Sequence, residues 1–171
     1  PLADALGDRG LIAQLPLVGD AAEQIQSGLL THPITGVSCA ESQQLPGTLS
    51  FLGSSEVLAG VPKGHITPKI DADGSIRKIP WAICVEGSAY PALALSPFLQ
   101  IAGGNSDWSV SIREENGLFG PDKILAINSY PGLEIPLDKE GNMRISFAQS
   151  PLAYRAVSAV DVIQGNIDQA M

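Results

Sequence analysis

Several things are scarce in this sequence, and each scarcity excludes a class of function. Cysteine occurs twice in 171 residues, as Cys39 and Cys84, and histidine twice, as His32 and His65. There is no CxxC, which excludes a zinc ribbon or a thioredoxin-type centre. Neither histidine has a His or Cys partner at metal-ligand spacing. No HExxH, P-loop, GxGxxG or GxSxG motif is present, so no metal, nucleotide cofactor or nucleophile elbow is expected. Asp71-x-Asp73-Gly74 has the start of a calcium loop but lacks its further ligands and distal Glu, and reads as a turn. Charge is sparse at 16% and unbalanced, with 10 Lys+Arg against 18 Asp+Glu, a net −8. That field repels phosphate backbones and anionic lipid, so nucleic acid is excluded as a partner. No apolar run reaches 18 residues, the length needed to cross a bilayer as a helix. No basic segment followed by an apolar stretch marks a signal peptide.

What is present points to a folded, turn-rich domain. Hydrophobic residues make up 44%, with 18 Gly and 13 Pro. Leu11–Val18 reads as a short strand between glycines. Leu2–Leu6 reads as the end of a helix, Asp20–Ile25 as a short helix capped by Asp20, and Ser54–Leu58 as one helical turn. His65–Ile70 and Ser75–Val85 read as two strands joined by the Asp71-Ala72-Asp73-Gly74 turn, because Asp-Gly supplies the positive φ a hairpin needs. A helix is expected from Pro91 through Leu95, Phe98, Leu99 and Ala102, with a break near Leu93–Ser96 caused by Pro97. Further strands follow at Trp108–Arg113, Lys123–Ile127, Leu133–Leu137 and Met143–Phe147. A last helix is capped by Ser158. The expected fold class is α/β, with α+β as the alternative: one domain over residues 1–171, a mixed β-sheet with hairpins flanked by a few short helices.

The cysteines admit two readings. In an oxidising compartment they would pair and close a loop contributing roughly 3–4 kcal/mol in the chain-entropy model. Cys84 lies in the apolar run Ala82-Ile83-Cys84-Val85, and there the expectation is two buried free thiols, since Cys behaves as a small hydrophobe.

The polar residues with the most chemical interest are His65, Arg77, Trp81 and Tyr90. A guanidinium grips a carboxylate bidentately, and Trp or Tyr can wall a ligand pocket. The competing structural reading is an Arg77 that answers Asp71 or Asp73 across the hairpin, and a Trp81 that fills the core.

These residues sit within a longer ordered pattern. Gly64-His65-Ile66, then Asp71-Ala72-Asp73-Gly74-Ser75-Ile76-Arg77-Lys78-Ile79-Pro80, then Ala89-Tyr90-Pro91-Ala92-Leu93-Ala94-Leu95 resembles the first block of the CHASE2 family. Ile135-Pro136-Leu137-Asp138, Gly141, Ile145-Ser146-Phe147, Val157-Ser158 and Asp161-Val162-Ile163-Gln164-Gly165 resembles its second. The two blocks span 57–103 and 133–167. Thr67 stands where the family pattern has Asn, and the family's opening acidic strand and closing segment have no counterpart here. The resemblance implies an extracytoplasmic (periplasmic) sensor domain of a bacterial membrane receptor. Its cytoplasmic output would be a nucleotide cyclase, a diguanylate cyclase or a kinase such as those of two-component systems. On that reading the chain is a piece of a longer receptor, touches the membrane only through segments outside it, and is not itself an enzyme. It would use no cofactor and sense a small molecule or a protein signal, with His65, Arg77, Trp81 and Tyr90 as ligand contacts and a homodimer as a further expectation. The alternatives are a dimerisation module without a ligand, which requires an exposed apolar patch, and a secreted hydrolase fragment, which requires a histidine within reach of both a Ser and an acid.

Overall fold

The computed structural model describes residues 11–18, 24–39, 45–101, 110–115, 121–127, 130 and 132–147. Within these the chain is built from short strands: β1 Ile12–Pro16, β2 Gln26–Ser27, β3 Gly47–Thr48, β4 Phe51–Leu52, β5 Lys63–His65, β6 Lys69–Ile70, β7 Ile76–Pro80, β8 Ala82–Val85, β9 Ser88–Pro91, β10 Val110–Glu114, β11 Lys123–Ile127, β12 Glu134–Leu137 and β13 Asn142–Arg144. A 3-10 turn at Glu56–Leu58 and one α-helix, α1 at Ser96–Ile101, interrupt them. This corrects the α/β expectation. Strand dominates the described residues, and among them no layer of helices covers a sheet; the architecture is that of a small domain of mixed sheets.

The chain's punctuation explains why the elements are short. Pro16, Pro80 and Pro91 each stand at the last position of a strand, where the missing N–H costs no ladder bond. The strand expected over Ser75–Val85 is two strands in different sheets, because the chain turns at Trp81. β7 pairs antiparallel with β6 and β13, whereas β8 pairs with β3 and β9. The strand expected over His65–Ile70 divides in the same way: β5 runs parallel to β1, and only Lys69–Ile70 joins the hairpin. The helix expected from Pro91 begins at Ser96. Pro91 instead closes β9, and Pro97 occupies the first turn of α1, where a proline is tolerated. The helices expected at 2–6, 20–25 and from Ser158 fall wholly or mostly outside the described residues.

Four small sheets result, with strand orders β2-β4-β1-β5, β3-β8-β9, β13-β7-β6 and β10-β11-β12. A parallel bridge between His65 and Ala92 joins the first two. It is reinforced where the Leu93 amide donates to the His65 carbonyl at 2.8 Å and the Ala92 amide to the Trp81 carbonyl at 2.9 Å. Gly64 permits this close approach, since a Cβ there would overlap the Leu93 backbone and the Ser96 hydroxyl. Around this seam lies the core: Trp81, Ala82, Ala89, Ala92, Leu95, Leu125, Leu137 and Met143, with Ile83, Val85 and Tyr90 on an adjoining cluster.

Cys39 and Cys84 form a disulfide with Cα atoms 5.9 Å apart, so the expectation of free thiols is overturned. Cys84 remains part of the apolar packing. However, its amide donates to the Pro46 carbonyl at 2.8 Å, and the bond ties the loop before Cys39 to the central strand β8. Spacing along the chain carried no information about that proximity.

Candidate functional site

A cleft of about 250 Å³ opens between three sheets, lined by Val18, Leu45, Pro46, Thr67, Pro68, Lys69, Pro80, Glu140 and Asn142. Its walls come from the end of β1, the loop before β3, the β5–β6 connection and the β12–β13 turn. Three prolines and two aliphatic side chains make the walls stiff and apolar. The rim carries an exposed ion pair, Lys69 Nζ to Glu140 Oε2 at 3.5 Å. Thr67 is buried and donates its hydroxyl to the Pro16 carbonyl. Asn142 is held by Asp138, whose Oδ1 accepts from the Asn142 amide at 2.9 Å and its side-chain Nδ2 at 3.1 Å. The same carboxylate receives Lys78 Nζ at 2.8 Å. Burial alone would raise Asp138, but Lys78 and Asn142 reverse this and hold its pKa below the usual carboxylate value. An apolar, rigid cleft with a few oriented polar groups and two opposite charges at its mouth suits a small polar molecule.

The structure places the four residues singled out in the sequence in three different settings, and none of them lines the cleft. Arg77 lies on the exposed hairpin: its guanidinium donates to Asp71 Oδ2 at 2.9 Å and to Asp73 at 2.9 and 3.1 Å. These bonds raise Arg77, and Arg77 together with the Ser75 amide holds Asp73 down at about 2. Trp81 is 2% exposed and fills the core. Tyr90 packs against Ile83 and Val85, and burial, with Glu86 nearby, raises its phenol.

His65 differs from the other three. It is fully buried, and neither ring nitrogen has a hydrogen-bond partner of good geometry. Burial lowers it to about 4; the nearby Pro80 carbonyl opposes this only weakly. Two residues earlier on the same strand, Lys63 is 1% exposed. Its Nζ donates to the carbonyls of Leu58, Ala59 and Val61 and to the Thr31 hydroxyl at 2.7 Å. Burial lowers Lys63 below the ordinary lysine value, yet its charge is spread over four oxygens. It works as a structural clamp on the 3-10 turn.

Sequence reading missed the cleft residues and Lys63. Lys69, Pro80 and Asn142 share the β13-β7-β6 sheet, with Asn142 opposite Pro80, and that pairing of residues distant along the chain is not written in local sequence. Lys63, in Pro62-Lys63-Gly64, carried a signal in principle: a lysine between residues that favour close backbone approach. The condition set for a hydrolase is not met among the described residues. His32 Nδ1 lies 3.1 Å from the Thr31 hydroxyl, with no acid in the contact, and His65 reaches neither a Ser nor an acid. No group of three or more His, Cys, Asp or Glu placed to hold a metal occurs among the described residues, and no helix there is long and apolar enough to cross a membrane.

Compared with known proteins, the chain matches no family model, no curated protein and no solved structure. The likeness to the CHASE2 family therefore rests on the motif residues alone.

Proposed function

We propose that this chain is an extracytoplasmic, disulfide-stapled sensor domain of a bacterial membrane receptor, and that a small polar molecule binds in the cleft walled by Thr67, Pro68, Lys69, Pro80 and Asn142. The observation that carries the reading is that cleft, a stiff apolar recess between sheets with a Lys69–Glu140 pair at its mouth. The Cys39–Cys84 bond supports the compartment, because disulfides persist in oxidising surroundings such as the periplasm. The ordered motif series supports the receptor context. Ligand binding would shift the balance between two arrangements of segments attached to this domain, which in turn set the activity of a cytoplasmic kinase or cyclase. The ligand contacts move, on this reading, from Arg77 to the cleft.

Protein-observed NMR with a small-fragment library tests the site. Shifts gathered on the amides of Thr67, Lys69 and Asn142, and absent from Ala72, Asp73 and Gly74, are the expected result. Shifts on the hairpin alone, or none anywhere, would overturn the cleft. The receptor context is tested by the coding sequence on either side: membrane helices followed by a kinase or cyclase are expected, and a lone secreted domain would contradict it.

A second reading, a dimerisation module, has one observation in its favour. Ile70, Ile76 and Phe147 are 63%, 45% and 72% exposed on or beside the hairpin sheet. Sedimentation equilibrium decides it: a dimer that dissociates on Phe147→Ser would favour this reading, and a monomer throughout would remove it.

A further inference from the structure

His65 is a titratable group buried at a junction, and among the described residues neither ring nitrogen has a well-formed hydrogen bond. Its strand belongs to the first sheet and also bridges to the second: Gln14 of β1 lies opposite His65 on one side and Ala92 on the other. The Leu93 amide holds the junction by donating to the His65 carbonyl at 2.8 Å, while the Ile66 amide ties the same strand to β1 through the Gln14 carbonyl at 3.2 Å. Gly64, next to it, lets the Leu93 backbone approach where any Cβ would collide with it.

The surroundings offer no home for a positive charge. Strand β1 has no titratable residue in Ile12–Pro16. Strand β5 contributes Lys63, a cation already bound to four oxygens. From β7 the nearest group is the Pro80 carbonyl, while Lys78 faces away to Asp138. Strand β8 contributes Cys84, which is bonded to Cys39, and β9 contributes Tyr90. The segment from Ala92 through α1 brings Ser96, whose hydroxyl donates to the Lys63 carbonyl at 2.9 Å. Among the described residues no carboxylate acts on the imidazole. A buried, uncompensated imidazolium is unstable, so taking up a proton favours any arrangement that lets water reach the ring.

We propose that His65 is an acid-sensitive latch: a proton taken from water onto its buried imidazole parts the β1–β5 sheet from the β8–β9 sheet, so that acidity outside the cell is a cue to which this domain responds. The proposal deepens the sensor reading and rests on it for its biological meaning, while the opening is a property of the chain itself. The latch is coupled to the cleft through two of its walls. Thr67 follows His65 by two residues, and Pro80 offers its carbonyl to the ring.

The sign of the effect is fixed. The folded-state value, about 4, lies below the ordinary 6.5. The closed state is thus fully favoured above pH 6.5 and loses its advantage as pH falls toward 4. One proton gives roughly a tenfold change in the open-to-closed ratio per pH unit across that window.

Hydrogen exchange of the oxidised domain, corrected for the intrinsic pH dependence of exchange, reads this ratio at the Leu93 amide, which bonds across the junction. Protection at Leu93 is expected to fall about tenfold per unit between pH 6.5 and 4. It is expected to be flat in His65→Gln. Flat protection in the unaltered protein overturns the latch, and so does an unchanged slope in His65→Gln. Should His65→Gln not fold, the unaltered protein still decides the matter. Failure here leaves the fragment mapping of the cleft standing as a test of the sensor reading, and failure of that mapping leaves the latch standing as a property of the fold.

Discussion

His65 and Arg77 belong to one stretch of sequence, yet the hairpin sheet and the central seam treat them oppositely. On the hairpin, Arg77 is about half exposed and grips Asp71 and Asp73, each bond made in water and each group able to find a substitute there. At the seam, His65 is sealed from water, and neither ring nitrogen has a well-formed hydrogen bond, with only the Pro80 carbonyl nearby among the described residues. A charged group on a solvated surface contributes little to stability even when its hydrogen bonds are short, because water competes for both partners. A buried titratable group with no partner is consequential, because the protein alone determines what its charged form costs. Polar residues in the motif region must therefore be ranked by their surroundings rather than by residue type.

Four experiments would break or sharpen this contrast. The largest effect is expected from Trp81→Ala, which empties the centre of the core at the seam. It should lower unfolding free energy by about 3–5 kcal/mol in urea titration, and a loss below 1 kcal/mol would show that Trp81 does not organise the core. Next comes reduction of Cys39–Cys84 or the double change to serine. Freeing the loop should cost roughly 3–4 kcal/mol by the same measurement, and a midpoint unaffected by dithiothreitol would contradict a native bond. Lys63→Met should follow, at about 1–3 kcal/mol, because it strips the Leu58 and Val61 carbonyls of their buried donor; a neutral outcome would reassign Lys63 from clamp to filler. The smallest effect belongs to the hairpin. Arg77→Ala should leave the urea midpoint unmoved within error, and a clear destabilisation would mean that the hairpin pairs are not solvent-screened.

The two regions also answer acid in separate windows. Hairpin pairing through Asp73 is present above the ordinary carboxylate value of 3.8 and is lost as pH falls toward about 2. The seam responds earlier, between 6.5 and about 4. A thermal midpoint should thus fall between pH 6.5 and 4 and stay level there in His65→Gln, whereas the hairpin's window is read at Asp73 itself, whose carboxyl resonance should titrate at higher pH in Arg77→Ala.

Local chemistry was legible in the sequence. Asp71-Ala72-Asp73-Gly74 makes its turn, with Gly74 at φ 77°, and of the strand expected over Met143–Phe147 the first two residues lie in β13, Asn142–Arg144, beside β7. The Arg77 pairing was among the readings open from sequence, since two acids in a tight turn stand within reach of an arginine three residues past its glycine. What the sequence concealed was every feature set by where strands separate. Pro80 marks the end of β7 one residue before the turn at Trp81, and a reading that runs through it gives one long strand in place of β7 and β8. That single misplacement hid the cleft, which needs Pro80 and Asn142 on one sheet and Pro46 on another. It also hid the disulfide, which needs the loop before β3 laid alongside β8. The fold class was missed for a related reason: prolines at 91 and 97 were read as opening and kinking a helix, whereas the first ends a strand and only the second lies in the short α1.

The contrast between seam and hairpin rests finally on the ionisation of His65, and ¹³C-histidine NMR observes it directly. With only two histidines in the chain, His32→Asn assigns the signals. The His65 ring resonance should stay at its neutral position as pH is lowered past 6.5 and begin to move only near 4, together with loss of the Leu93 amide's protection. A His65 ring that titrates freely near 6.5 while Leu93 remains protected would contradict a sealed imidazole and the latch built on it.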